Sequence, residues 1–325
     1  MKVCIVGAGA IGGFIGARLA QAGHCQVSTV ARGATLAALQ RHGWRLEQGG
    51  ELIQAPVIAS DKAASLGAQD LVIVAVKGTA MTAIAPVVAE LIGPETVVLP
   101  AMNGVPWWFS RGTVLGNAPL ESVDPGGRIS ESIPYGHVLG CVVHASTSCP
   151  EPGLVRHAMG QGLIVGEPAC AHSPRSEAVA ALLRRAGFDV TESANVRYDI
   201  WYKLWGNLTM NPVSAITGAT IDRLLADPLV REFCSAAMRE AATLGASLGL
   251  GITQSPEDRH AVTAKLGAFK TSMLQDVEAG RPVELNTIVG AVHEIGRRLG
   301  QPTPNIDALL GLTRLFARTH QIYPS

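Results

Sequence analysis

Neither sign of charge is in excess: the 325-residue chain carries 26 basic and 26 acidic residues. That balance removes the electrostatic case for nucleic acid or an anionic membrane as a main partner, so any bound anion must be held by local geometry. The cysteines Cys4, Cys25, Cys141, Cys149, Cys170 and Cys234 form no C-x-x-C pair and show no zinc spacing. In a chain of this length they read as reduced thiols in a cytoplasmic protein. No apolar run approaches the ~18 residues of a membrane span. His293-Glu294 lacks a second histidine at helical spacing, which excludes a zincin and leaves no metal site to expect. No G-x-S-x-G elbow is present, which speaks against a serine hydrolase. Internal repeats and low-complexity segments are also lacking.

What is present is an ordinary buried globular composition, 47% hydrophobic and 16% charged, in a chain long enough for two domains. Met1 to Val6 is a short apolar run that could be taken for the start of a signal peptide, but Gly7-Ala8-Gly9-Ala10-Ile11-Gly12 follows at once. Strand, G-x-G-x-x-G, helix is the context in which the glycines carry meaning. Gly7 permits the tight turn, Gly9 lets a pyrophosphate approach the backbone, and Gly12 lets the helix pack on the strand. The second strand, 26–31, ends on Arg32, where an NAD site would offer Asp or Glu to a ribose hydroxyl. A guanidinium there suits a 2′-phosphate, so NADPH is the expected cofactor.

A strand pair is expected over 44–58 around Gly49-Gly50. Two buried parallel strands, 70–76 and 96–102, end on Lys77-Gly78 and Asn103-Gly104, at the strand edge where open α/β sheets bind ligands. Residues 105–135, headed by Trp107-Trp108-Phe109, read as an irregular excursion over the site. Paired strands at 138–146 and 154–165 follow. From residue 194 the pattern is helical throughout: 194–210, 227–249, 255–279, 284–299 and 305–320. The fold class is therefore α/β: a Rossmann-type, doubly wound dinucleotide-binding domain over 1–193 and an all-α C-terminal domain over 194–325.

Within the helical half, Lys203, Asn207 and Asn211 recur every four residues and form one polar line, with Trp201, Leu204, Trp205 and Leu208 on adjoining faces. A lone ammonium among carboxamides suits a carbonyl or hydroxyl substrate; scattered polar residues near a helix end are the plain alternative. Ser272 and Glu284 also stand out. From the residues alone Glu284 reads first as an ordinary first-turn acid favoured by the helix dipole and only second as a carboxylate that would orient Lys203.

Taken together, these residues resemble the ketopantoate reductase (2-dehydropantoate 2-reductase) family over nearly the whole chain. The resemblance rests on Gly7-x-Gly9-x-x-Gly12, Arg32, Val76-Lys77, Asn103-Gly104, Trp201-Tyr202-Lys203-Leu204, Asn207-x-x-x-Asn211-Pro212, Ser272-Met273-Leu274-Gln275-Asp276 and Val283-Glu284. It implies that Lys203 is the catalytic acid with Glu284 in support, and that Asn103, Asn207, Asn211 and Ser272 bind a small 2-oxo acid. It also implies that the glycine loop, Arg32, Lys77 and Asn103 serve NADPH. Two departures stand where substrate is chosen: a long 105–135 segment, and Phe269 in place of a polar residue. The expected reaction is reduction of 2-dehydropantoate. The alternatives are reduction of another 2-oxo acid, or an inactive NADP(H) sensor. A homodimer is left open.

Overall fold

The structure is a computed structural model that describes residues 1–323. The chain divides into two compact units, the first made of 1–102 and 128–199, the second of 103–127 and the residues from 200 onward. A single cut near 193 does not express this arrangement. Of the expected excursion 105–135, residues 105–127 belong to the helical unit and 128–135 to the first, and the C-terminal boundary falls in the first turn of a helix rather than before it.

In the first unit, near-continuous apolar runs make strands buried on both faces, as a parallel sheet requires. The strands are β1 (Lys2–Val6), β2 (Gln26–Val30), β5 (Ile58–Ser60), β6 (Gln69–Val74) and β7 (Ile92–Pro100), in the order β5-β2-β1-β6-β7. All four pairings are parallel, with Val3 opposite both Val27 and Leu71. From β1 the chain winds out to one side and then returns to β6 on the other. That reversal creates the switch point at the carboxyl ends of β1 and β6.

A second sheet holds the hairpin β3 (Trp44–Gln48) and β4 (Glu51–Ala55), the long pair β8 (Gly140–Glu151) and β9 (Leu154–Gly166), and β10 (Asp189–Glu192). The β3–β4 turn is Gly49-Gly50, both at positive φ (60° and 85°), the geometry that made this hairpin readable. Helix α1 (Ala10–Ala22) packs against both sheets, and Phe14, Ile15 and Leu19 share one core with Ile5, Ile73, Trp44 and Val155. The unit is completed by α2 (Gly33–His42), α3 (Met81–Ala89), α4 (Arg128–Ser132) and α5 (Pro174–Arg185).

The second unit is built on α6 (Val196–Thr217), which continues through Pro212 instead of ending near 210. Met210 and Val213, on either side of the proline, are buried with Ile221, Leu224, Cys234 and Leu309. That packing offsets the hydrogen bond the proline removes. Trp201 and Trp205 are 1% exposed, and the Trp205 indole donates to the Met238 carbonyl at 2.7 Å. Phe109 stacks on Trp201 with centroids 5.9 Å apart, and Trp107, Trp108 and Phe109 are all buried. The aromatic head of the excursion is therefore core of this unit.

Helices α7 (Ile221–Ala226), α8 (Pro228–Ser247), α9 (Pro256–Ala264), α10 (Ser272–Glu278), α11 (Ala291–Arg298) and α12 (Pro304–Thr319) follow. The expected helix 255–279 is two helices, interrupted around Gly267 at φ 61°. Phe269, in the break, packs against the Met210–Val213 cluster, which accounts for an apolar residue there. Among the described residues no helix is long and apolar enough to cross a membrane, and no group of three or more His, Cys, Asp or Glu could hold a metal ion. Burial pushes the Cys4 and Cys234 thiols up to about 11, which makes them poor nucleophiles.

His260 of α9 is 2% exposed, and its Nε2 lies 3.0 Å from the Ser235 hydroxyl, while Nδ1 has no partner. Burial holds its pKa below the ordinary 6.5, with the Glu257 carboxylate opposing and the Arg231 guanidinium assisting. The unfolded chain therefore binds a proton before the folded one does. The associated stability is complete above pH 6.5 and is lost as pH falls below it, at no more than about 1.4 kcal/mol per pH unit. Urea unfolding from pH 7.5 to 5 should show a steeper loss for wild type than for His260→Gln; parallel curves would mean His260 does not titrate in this window.

Candidate active site

Gly7 has φ 97°, and a Cβ there would lie 2.6 Å from Val76 and 3.0 Å from the Ala75 backbone. The loop after β1 thus lies against the chain leaving β6, just before Lys77, and Ala75 N–H donates to the Val6 carbonyl at 2.8 Å. A Cβ on Gly12 would sit 2.0 Å from the Gly7 carbonyl oxygen, so only glycine lets α1 start this close to the strand. Gly9 differs: nothing lies within 4 Å of its Cβ position, and no side chain caps α1. Open space over an uncapped helix N-terminus suits a phosphate group, which the N–H groups and the positive dipole end favour. Arg32 is exposed at the N-cap of α2, directly after β2, and no side-chain hydrogen bond or ion pair engages it among the described residues.

In the second unit, burial of Trp201 and Trp205 fixes the rotation of α6, and the opposite face carries Lys203 and Asn207. The Lys203 ammonium donates to Asn103 Oδ1 at 2.7 Å, joining residues a hundred positions apart. The Asn103 segment is held by backbone contacts. Gly104, at φ 81°, has its Cβ position 2.6 Å from the Thr287 carbonyl oxygen, and Val105 N–H donates to that oxygen at 2.8 Å. Thr287 lies three residues after Glu284, in a π-helical turn over Asn286–Gly290, a local irregularity common at functional sites. Nothing in the local sequence marks Thr287, because its carbonyl does the holding; the only trace is Gly104.

Glu284 is 9% exposed and precedes the first helical residue, Leu285, so it stands at the helix end and not inside its first turn. Val283 N–H donates to the Ile322 carbonyl at 3.0 Å and fixes the approach to it. Asn207 is half-buried and Asn211 buried, and among the described residues no side-chain hydrogen bond engages either carboxamide. Ser272 is exposed as the first residue of α10, not late on a helix as its pattern implied, and Thr271 caps that helix by accepting from Leu274 N–H at 3.1 Å. The geometry thus joins Lys203 to Asn103 directly and to the Glu284 segment through Thr287; among the described residues no side-chain hydrogen bond links Ser272 to them.

A parallel nucleotide-binding sheet with its glycine loop, followed by a helical unit that presents an ammonium among carboxamides, defines an oxidoreductase dependent on a pyridine nucleotide. The model of the family Ketopantoate reductase PanE/ApbA matches residues 3–169, and that of the Ketopantoate reductase PanE/ApbA C terminal matches 195–317. The chain belongs to the ketopantoate reductase family. A 2-dehydropantoate 2-reductase of Mesorhizobium japonicum is 44% identical over 319 residues, 98% of each chain. The crystal structure of a putative ketopantoate reductase from Ralstonia solanacearum MolK2 is 54% identical over 99% of each chain, with a TM-score of 0.96. D-mandelate dehydrogenase solved with NADH and anilino(oxo)acetate shares the fold at a TM-score of 0.84 and 20% identity, over 99% of this chain and 100% of that one.

The two glycines make a paired test. Gly12→Ala should cost about 1–3 kcal/mol in urea unfolding, as overpacking against the Gly7 carbonyl does. Gly9→Ala should leave stability within about 0.5 kcal/mol and weaken dinucleotide binding at least about tenfold, because its methyl fills space that is otherwise open. Unchanged nucleotide affinity in a stable Gly9→Ala protein would remove the phosphate from this loop.

Proposed function

We propose that the protein reduces 2-dehydropantoate to pantoate with NADPH, a step towards pantothenate and coenzyme A. Full-length similarity supports the reaction class, and the Lys203–Asn103 hydrogen bond is the observation that carries the mechanism. Bound NADPH supplies the hydride that adds to C2 of the substrate. Lys203 stabilises the oxygen that becomes negative and gives it a proton, and Asn103 holds the ammonium in position by accepting one of its hydrogens. Glu284 keeps that ammonium charged. Asn207 and Asn211, whose carboxamides have no side-chain hydrogen bond among the described residues, bind substrate oxygen atoms beside it, with Ser272 closing the set. The glycine loop and Lys77 hold the cofactor, and Arg32 reads its 2′-phosphate.

NADPH oxidation should depend on 2-dehydropantoate, with a higher kcat/KM than for any other acid in a panel of 2-oxo acids. A better substrate in that panel would keep the chemistry and change the name. Tight NADPH binding without turnover would make the protein a sensor. Arg32→Ala should weaken NADPH binding and leave NADH nearly unchanged; equal losses would free Arg32 of its role.

Lys203→Ala should lower kcat by ~10² to 10⁴-fold, the usual span of general acid catalysis, with little change in NADPH affinity. Lys203→Arg should not restore the rate, because a guanidinium keeps its proton. An unchanged kcat with a raised KM would make Lys203 a substrate-binding charge and move the acid elsewhere.

A further inference from the structure

The helical unit contains a cavity of about 590 Å³ that none of the residues proposed for the reaction lines. Its walls come from α11, α12, the π-helical turn, the loop residues Glu121 and Ser122, and Tyr323. Sites for small organic molecules are of this size.

Three arginines line it, and their circumstances differ. Arg298 is already engaged: it pairs with Glu294 at 2.6 Å and donates to the Ala118 carbonyl at 3.1 Å and to the Pro119 carbonyl. Glu294 is engaged as well, since it also accepts from the N–H groups of Glu121 and Ser122 and from the Ser122 hydroxyl. The other acid, Glu121, accepts from Gly126 N–H at 3.1 Å within its own loop. Arg297 and Arg314 stand apart. Both are exposed, and among the described residues neither has a hydrogen bond, an ion pair or a ring contact. Asn286 accepts from the Tyr323 hydroxyl at 3.0 Å through Oδ1, while its Nδ2 donates to nothing among the described residues. The Arg318 guanidinium, 5.0 Å from the centre of the Tyr323 ring, keeps that ring in place.

These groups identify the class of ligand. Arg298 and Glu294 cancel, Glu121 turns to its own loop, and two guanidinia remain without an acceptor. Like charges at one cavity repel, a cost that a bound anion removes. A carboxylate fills one guanidinium fork, whereas a phosphate monoester offers three oxygens and about two negative charges, enough for both. Leu310 adds an apolar wall, and the cavity exceeds a phosphate group in size, which leaves room for an organic remainder. We infer that this cavity is a binding site for a small phosphate monoester, with Arg297 and Arg314 on the phosphate and the Asn286 amide as a further donor. The inference stands independently of the reaction proposed above, since it uses none of the residues assigned to it.

The test is calorimetric titration of phenyl phosphate into the full-length protein saturated with NADP, so that the sites for the dinucleotide's own phosphates are filled. Phenyl phosphate should bind saturably, inorganic phosphate more weakly for want of the organic part, and phenol not at all. Arg297→Gln and Arg314→Gln should each lower the affinity about 10- to 100-fold, the size expected when a charge-assisted hydrogen bond is removed. Arg297→Lys, which keeps the charge but not the fork, should fall between. Both side chains are exposed, so the variants should keep the wild-type urea midpoint. Lys203→Ala should bind the ester as wild type does. Absence of saturable binding by wild type at millimolar concentration would overturn the site. So would binding that survives both arginine variants, or that Lys203→Ala abolishes, because the ester would then lie elsewhere. Equal affinity for inorganic phosphate would overturn the assignment to an ester.

Discussion

A helix can turn only one face to its core, and the face that α6 gives to Trp201 and Trp205 decides where Lys203 points. The two indoles are nearly fully buried, one hydrogen-bonded to Met238 and the other stacked on Phe109. Truncating a buried tryptophan costs roughly 3–5 kcal/mol, which exceeds anything a surface polar line could contribute to the rotation of the helix. Lys203 and Asn207 are thus held by packing on the far side of the same helix. The hydrogen bond to Asn103 then refines the position of an ammonium that four flexible methylenes would otherwise let wander.

The same packing explains why a loop from the middle of the chain belongs to the helical unit. Phe109 is buried against Trp201, and Gly104 and Val105 sit on the Thr287 carbonyl, so residues 103–127 are tied at both a hydrophobic and a polar point. Asn103 inherits its place from these contacts. The chemistry proposed for Lys203 therefore depends on three stretches far apart in sequence that converge within one unit.

Much of this was legible beforehand, and for identifiable reasons. The run Val3–Val6 before a glycine triplet, the Gly49-Gly50 turn and the four-residue repeat of Lys203, Asn207 and Asn211 are local patterns whose geometry is set within a dozen residues. The failures share the opposite property. Pro212 looks like a stop until the Met210 and Val213 side chains are seen in a core with Leu309. The break around Gly267 hides inside a helical periodicity. Thr287 acts through a backbone carbonyl, which every residue possesses.

Charge provides the last link. With 26 residues of each sign the chain has no long-range field to gather an anionic ligand. At physiological salt a charge is screened over about 8 Å, so an anion is held mainly by cations placed close to it. On the proposed reading the first unit meets that requirement at Arg32 and Lys77, together with the uncapped N-terminus of α1. On the same reading the second meets it at Lys203, on a helix face otherwise furnished with the neutral carboxamides of Asn207 and Asn211. Where a cation stands among neutral carboxamides, discrimination rests on shape and hydrogen-bond geometry more than on attraction, since an anion of the wrong form gains little by approaching. On the proposed reading this is what a reductase of small 2-oxo acids needs, because its substrate differs from other small carboxylates in the cell by little more than the position of one carbonyl oxygen.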